Sequence, residues 1–580
     1  MSTIRNLEKE ICKKLNNLGY NLPKVTLNPS SRPEFGEYQI NDAMSLGKSL
    51  GKNPHQIAEE ILKVLEQDNR FINLNIAGPG FINLSLSDDF YISAINEMLA
   101  DIKVNIDKVS PKKIMMDYGG ANIAKTLHVG HLRSANIGEA VKRLTVLLGN
   151  EVISDVHFGD IGRQSGMVIY ELMQRYPNLN YFNNEKQDKY DDLPITVKDL
   201  QEIYPSASKK AKEDEQVMER VHEITIEIEK GNPGYTELWN RVKALSIQDI
   251  KGIYKRLNTT FDLYEGETDC YPYIPKVMDI LKSKDLIYES EGAMVVDTKE
   301  ETDNEPMPPL VVLKGNGGTV YQTRELATIL SRVERFSPEE IWYFADNRQD
   351  LYFKQVFRVA KKSGIAKNTE LKFFGFGTMN GPDGKPFKTR DGGVLNLVDL
   401  MDMIKEETTK RMNMEMVEES KRDETAEIIA MAALKYADFL PFRSKDYIFD
   451  INKFVDLEGK TGPYLLYSTV RMKSLLDKSK QTILPTDSKK FNNITDKEII
   501  RTLLRLPVVL NKAYEEKSLN EIAEYLYKLT STYNKFYSEN HILTCSDIEL
   551  RNNWLALTKL VYDTNKLLLN TLGIDIPEKM

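Results

Sequence analysis

Between Gly119 and Ala140 the chain reads GGANIAKTLHVGHLRSANIGEA, which gathers His128 and His131, two of only six histidines in 580 residues, with Lys125 and Gly130. Imidazole N–H groups donate to anionic oxygens, and that donation counts most as negative charge builds up in a transition state. Gly130 has no side chain to keep a flat base from the backbone, and Lys125 adds a mobile cation. The chemistry that suits this combination is charge stabilisation on phosphate. A metal site fits poorly, because HExxH spacing is absent and His55, His157, His222 and His541 supply no local third ligand.

A second loop, GTMNGPDGKPFKTRDGG from Gly377 to Gly393, follows the strand-like LKFFGF. Its cations Lys385, Lys388 and Arg390 are of the type that meets polyphosphate. Pro386 after the Gly-Lys pair departs from the GxxxxGK[ST] spacing of a P-loop, so this loop alone names no site.

Both loops need a scaffold. KKIMMDYGG is a short apolar run ending in glycines, LRSANIGEAVKRLTVLLG has helical periodicity with Gly149 as its stop, and NEVISDVHFGD is a second strand. That order is a βαβ unit, and ligands of such sheets sit beyond the strands' carboxyl ends, where helix N-termini offer N–H groups to phosphate. A charged helical insertion follows from about 171 to 260. GAMVVD, PPLVVLK and EIWYFAD then read as strands that resume the sheet. The expected fold class is therefore α/β, a doubly wound Rossmann-type parallel sheet, flanked by a small N-terminal α+β domain and an all-helical C-terminal domain. The boundaries read as 1–105, 106–401 and 402–580.

Composition narrows the classes. With 41% hydrophobic residues the chain can build several cores. No apolar run is long enough to span a bilayer, and the start lacks a signal-peptide core, so a cytoplasmic location is expected. Cys12, Cys270 and Cys545 form no CxxC pair, so neither a disulfide framework nor a structural metal is indicated. The net charge of −8 speaks against indiscriminate coating of nucleic acid. From Lys460 onward, however, 18 Lys and Arg face 14 Asp and Glu, so this end differs electrostatically from the rest.

Together the two loops resemble the paired signatures HIGH and KMSKS of class I aminoacyl-tRNA synthetases, here HVGH and the degenerate KPFKT. The segments NIAKTLHVGHLRS, DVHFGDIGRQSG, FDLYEGET, YQTRELA, ADNRQDLYFKQVF, GKPFKTRDGG, TGPYLLYSTVRMKSLL and LGIDIPEKM resemble the arginyl-tRNA synthetase family in its own order, over nearly the whole chain. The resemblance implies two steps: arginine's carboxylate attacks the α-phosphate of ATP, and the adenylate passes its acyl group to the 3′-terminal adenosine of tRNA(Arg). It carries His128, His131, Lys385 and Lys388 into phosphate stabilisation, with Lys125 compensating for the altered second loop and Mg2+ accompanying ATP. It places Glu267, Tyr321 and Glu325 on the guanidinium, and Asp117, Asn122 and Gln349 on the α-amino and carboxylate groups.

The same resemblance makes the N-terminal module one that contacts the tRNA elbow and the C-terminal helices an anticodon-binding module. Exposed aromatics such as Trp554 or Tyr537 could stack on bases, but aromatics at helical spacing belong more often to a core, so no anticodon contact is named. A monomer is expected. Two departures stand out: Gly120, Ala121 and Asn122 replace the family's SPN, and Thr323, Arg324 and Glu325 replace its TRD. Two other readings compete. An HxGH nucleotidyltransferase without tRNA leaves the basic helical end unexplained. A non-catalytic RNA-binding paralogue, suggested by the missing KMSKS, is opposed by the retained His128, His131, Lys385 and Lys388.

Overall fold

At the centre of the catalytic part lies a four-stranded parallel sheet. Its strands are β1 (Lys113–Asp117), β2 (Glu151–Asp155), β3 (Glu340–Tyr343) and β4 (Glu370–Phe373), arranged β4-β3-β1-β2. In this computed structural model the described residues are 4–30, 32, 34–106, 108–183, 185–315, 317–385, 387, 395–481, 491 and 494–580. Ile114, Met115 and Met116 are all fully buried, as are Ile341 and Trp342 to within 1%. Continuous apolar runs of this kind belong to strands covered on both faces. The order reverses direction between β1 and β3, which creates a switch point at their carboxyl ends. There Asp117 pairs with Asp155 on one side and Tyr343 on the other.

Helix α1 (Val129–Leu147) joins β1 to β2 and is buried nearly all round. Gly138 permits its close approach, since a Cβ there would lie 2.2 Å from Cγ of Tyr118. Helices α2 (Tyr321–Phe336) and α3 (Asp350–Ser363) precede β3 and β4 respectively. The charged insertion forms helices Arg163–Arg175, Val197–Glu213, Glu215–Glu229 and Pro233–Arg256.

Two of the three later strand segments do not rejoin the parallel sheet. Ala293–Val296 and Leu310–Leu313 form a separate antiparallel sheet with Ile287–Ser290, and only Glu340–Tyr343 returns to the centre. The reason is local. Ser290 pairs with Ala293 across Glu291 and Gly292, whose φ values of 51° and 73° make the left-handed two-residue turn that closes a hairpin.

The chain divides into two compact units. One comprises residues 108–463, 516–520 and 570–580; the other comprises 1–107, 464–515 and 521–569. In the second unit the strands Phe71–Ala77 and Phe81–Leu86, whose sequences FINLNIA and FINLSL alternate apolar and polar residues, form a hairpin inside a four-stranded antiparallel sheet. Helices Ile494–Leu503, Leu506–Glu516, Asn520–Glu539 and Ile548–Thr571 follow Gly462–Ser479. Lys497 pairs with Asp88 at 2.6 Å, which ties the helical part of this unit to its N-terminal part. Trp554 is 5% exposed and meets the edge of Phe536, so it belongs to the core, as aromatics at helical spacing more often do. Tyr537 is half-buried beneath Arg471, 4.6 Å from its ring centre.

Candidate active site at the carboxyl ends of β1 and β3

Gly119 and Gly120 turn the chain away from β1 at φ values of 99° and 59°, a region that side chains enter at a cost. Ser134 on α1 locks this turn, accepting from the Gly119 amide at 2.8 Å and donating to the Phe344 carbonyl at 2.9 Å. The chain then reaches His128, the N-cap of α1. Its Nδ1 accepts from the Gly130 amide at 3.0 Å, and Nδ1 of His131 accepts from the His128 amide at 3.0 Å. This is a capping box built from two imidazoles, whose ring centres lie 3.9 Å apart.

The box decides what the histidines can do. An Nδ1 that accepts leaves the proton on Nε2, so each ring has one N–H donor to offer. Burial and then the nearby Lys125 hold His128 below the usual histidine range. Burial, followed by the charge of His128, drives His131 down to about 3. Both rings are neutral donors at neutral pH. Gly130 serves the same box, since a Cβ would lie 2.8 Å from Cε1 of His128. The backbone amides expected to meet phosphate are largely occupied: Val129 donates to Leu395, Gly130 to the His128 ring and His131 to the His128 carbonyl. The donors at this helix start are the imidazoles.

The HVGH stretch meets the chain just beyond the second loop through backbone bonds. Leu397 donates to the Leu127 carbonyl at 2.9 Å, Val129 donates to the Leu395 carbonyl at 3.3 Å, and His128 pairs with Asn396 in an antiparallel bridge. Lys385 is exposed on the second loop, which is folded by the Asp383 side chain accepting from its amide at 3.1 Å. Lys388 and Arg390 lie outside the described residues. Lys125 rests 5.0 Å from the ring centre of Tyr204, on the helical insertion.

A cavity of about 430 Å³ opens beside the switch point, lined by His157, Glu267, Tyr321, Arg324, Glu325, Arg348, Gln349, Tyr352 and Phe353. Four residues expected on the arginine side, Glu267, Tyr321, Glu325 and Gln349, come together here from three separate segments. Asp117 and Asn122 are not part of that lining. Oδ2 of Asp117 accepts from Nη2 of Arg332 at 2.6 Å, and Asn122 sits in the turn that bridges to Gly159. Gln164 fastens that turn through bonds to the Ile123 and Gly159 carbonyls.

Electrostatics around the cavity centre on Arg332 of α2, which is 1% exposed and bonds both Asp117 and Asp155, at 2.6 and 2.7 Å. Burial raises Glu325 above the usual carboxylate range. Its Oε1 is buried with no hydrogen-bond partner among the described residues. Sequence reasoning passed over His157, Arg324, Arg332 and Tyr343. The DVHFGD and YQTRELA segments contain two of them, but a residue type in a motif does not reveal its partner across the sheet.

A pocket with two carboxylates, a phenol and a carboxamide can take a planar cation in a fork geometry. The nearby pair of neutral imidazole donors suits phosphate.

Residues 94–451 match the family model "tRNA synthetases class I (R), catalytic domain", residues 5–86 match "Arginyl tRNA synthetase N terminal domain", and 465–580 match "DALR anticodon binding domain". The chain is 42% identical over 570 residues to the arginine–tRNA ligase of Alkaliphilus oremlandii, covering 97% of each. It is 39% identical to that of Agathobacter rectalis over 100% of this chain and 99% of the relative. The Thermus thermophilus arginyl-tRNA synthetase structure shares the fold with a TM-score of 0.81 at 20% identity, covering 100% of both chains. That of Plasmodium falciparum does so with a TM-score of 0.80 at 22% identity, covering 100% of this chain and 99% of the other. No helix among the described residues is long and apolar enough to cross a membrane. With its catalytic module matched over more than half its length and close relatives aligned end to end, the chain belongs to the arginyl-tRNA synthetase family of class I aminoacyl-tRNA synthetases.

Proposed function

We propose how the residues of this chain divide the work of arginine–tRNA ligation. The chain uses ATP to activate arginine and charges tRNA(Arg). A carboxylate oxygen of arginine attacks the α-phosphorus, the bond to pyrophosphate breaks, and a hydroxyl of the terminal adenosine then attacks the acyl carbon and expels AMP. No covalent enzyme intermediate is needed, so positioning and charge stabilisation carry the catalysis.

In this reading the Nε2–H donors of His128 and His131 meet the developing charge on the phosphates, with Lys125, Lys385 and Lys388 as cations and Gly130 opening the approach. ATP enters as its Mg2+ complex, the ion being part of the substrate. Glu267, Tyr321 and Glu325 receive the guanidinium, while Asp117, Asn122 and Gln349 hold the α-amino and carboxylate groups. Residues 1–105 contact the tRNA elbow, 106–401 carry the chemistry, and 402–580 form a stem and an anticodon-binding domain. The chain works as a cytoplasmic monomer.

The observation that best supports this division is the bonding of Leu127–Val129 to Leu395–Leu397, the segment that directly follows the second loop. Charging of bulk tRNA with each labelled amino acid tests the reading: arginine alone should be attached, and attachment of any other amino acid, or of none, would reject it. Pyrophosphate exchange with and without tRNA separates a ligase from a nucleotidyltransferase that ignores tRNA.

A further inference from the structure

His157 is a cation-forming side chain on the wall of a pocket whose proposed ligand is itself a cation. It lines the cavity with Glu267 and Glu325, and its side chain is 13% exposed. Its Nδ1 lies 3.4 Å from Oδ2 of Asp155, whose carboxylate is wholly buried, and its Nε2 lies 3.4 Å from Oγ1 of Thr328. The charged groups around it come from three elements: Asp155 on β2, Asp117 on β1, and Arg332 and Glu325 on α2. Arg332 already bridges the two aspartates. Glu325 has one buried oxygen without a hydrogen-bond partner and no ion-pair partner within 4 Å among the described residues.

A buried carboxylate without a counter-ion tends to take up a proton, and a protonated Glu325 cannot attract a guanidinium. We propose that His157 is a positioning residue of the arginine pocket: its imidazolium, held by Asp155, keeps the Glu325 carboxylate ionised until the substrate guanidinium replaces it as the counter-ion. The inference rests on the arginine reading of this cavity given above.

The balance of influences on both groups agrees with that role. Burial alone would strip the proton from His157, but Asp155 beside it, helped by Asp117, outweighs burial and the repulsion of Arg332 and lifts it to about 9. At Glu325 burial raises the affinity for a proton, and the charge of His157 is the largest influence in the opposite direction.

The test is the arginine KM of wild type and His157→Gln in tRNA charging between pH 6.5 and 9.5, with the ATP KM measured alongside. The variant's arginine KM should be several-fold higher near pH 7, because Glu325 loses the charge that most opposes its protonation. The ratio should close toward one by pH 9.5, because wild type loses its own imidazolium through about 9. The ATP KM should stay level. A ratio that is flat across pH, or a variant with unchanged arginine KM, overturns the inference. Should His157→Gln not fold, wild type still decides: 15N spectra of selectively labelled histidines must contain one imidazolium that persists to pH 8, and spectra with no imidazolium left at pH 8 overturn the inference. Failure of wild type to charge arginine at all would defeat the ligase reading itself, whereas a flat ratio in an enzyme that charges arginine defeats this inference alone.

Discussion

Arg324 donates its Nε–H to Oε2 of Glu267 at 2.5 Å, so an acid proposed to receive the substrate guanidinium already holds a guanidinium of the chain itself. The side chains are 17% and 25% exposed, which leaves the pair partly wet and open to sharing. A carboxylate can serve two donors at once because each oxygen has two lone pairs. Glu267→Gln would turn one acceptor into a donor facing donors. Arginine binding should weaken by roughly 1.5–3 kcal/mol, the range for a hydrogen bond to a charged group. Arginine and ATP Michaelis constants measured together check this, and an unaltered arginine constant would remove Glu267 from the pocket.

Glu325 offers the sharper loss, since its Oε1 is buried and unsatisfied. Glu325→Gln should cost roughly 2–5 kcal/mol of arginine affinity, the range for breaking a buried charge pair, with ATP binding little changed. Glu325→Asp brings back the acid usual in the family and should retain most activity. Titration calorimetry with arginine distinguishes the two variants.

His131 has two jobs that separate by substitution. As a capping residue it satisfies the His128 amide, and loss of a cap costs about 1 kcal/mol. As a donor to the phosphates its removal should lower kcat by roughly 100- to 1,000-fold. His131→Asn keeps an acceptor for the cap but no imidazole N–H, so it should melt near wild type while turning over slowly. Equal loss of arginine binding with turnover intact would reject the donor role.

Acid stability follows from the same residue. The folded chain keeps His131 neutral down to about 3, whereas an unfolded histidine takes up its proton near 6.5. The unfolded state therefore binds more protons across that window, and stability is lost as pH falls from about 6.5 toward 3. Urea midpoints of wild type should fall over this range with a slope that is shallower in His131→Asn. Parallel slopes would show that another group governs the acid limb.

Arg332 is the structural keystone of the switch point, since its one guanidinium bonds two in-register aspartates. Arg332→Met takes the guanidinium from both acids, leaving Asp155 with His157 alone, and should destabilise the unit that holds the parallel sheet by roughly 3–5 kcal/mol. Arg332→Lys should recover only part of this, because an ammonium lacks the fork geometry. Chemical denaturation of the three proteins checks the order.

Much was legible in the residues alone. KIMMD, the helix from Val129 and the FINLNI–FINLSL hairpin follow from local periodicity and from the glycines that end them, which act over a few residues. The histidine pair could be picked out because residue type and spacing lie within a single helical turn. What the tertiary structure alone decided are relations between distant segments. Leu395–Leu397 pairs with the strand leading to His128, Glu291 and Gly292 divert two strands into a second sheet, and Trp554 sinks into the core. The partners of Arg332 and His157 belong to the same class, because an arginine or histidine in a motif has the same appearance whether it faces water or a buried acid. Periodicity records which face of an element is covered, but the covering group, and with it the charge state of every buried side chain, is set only when segments far apart in the chain are packed together.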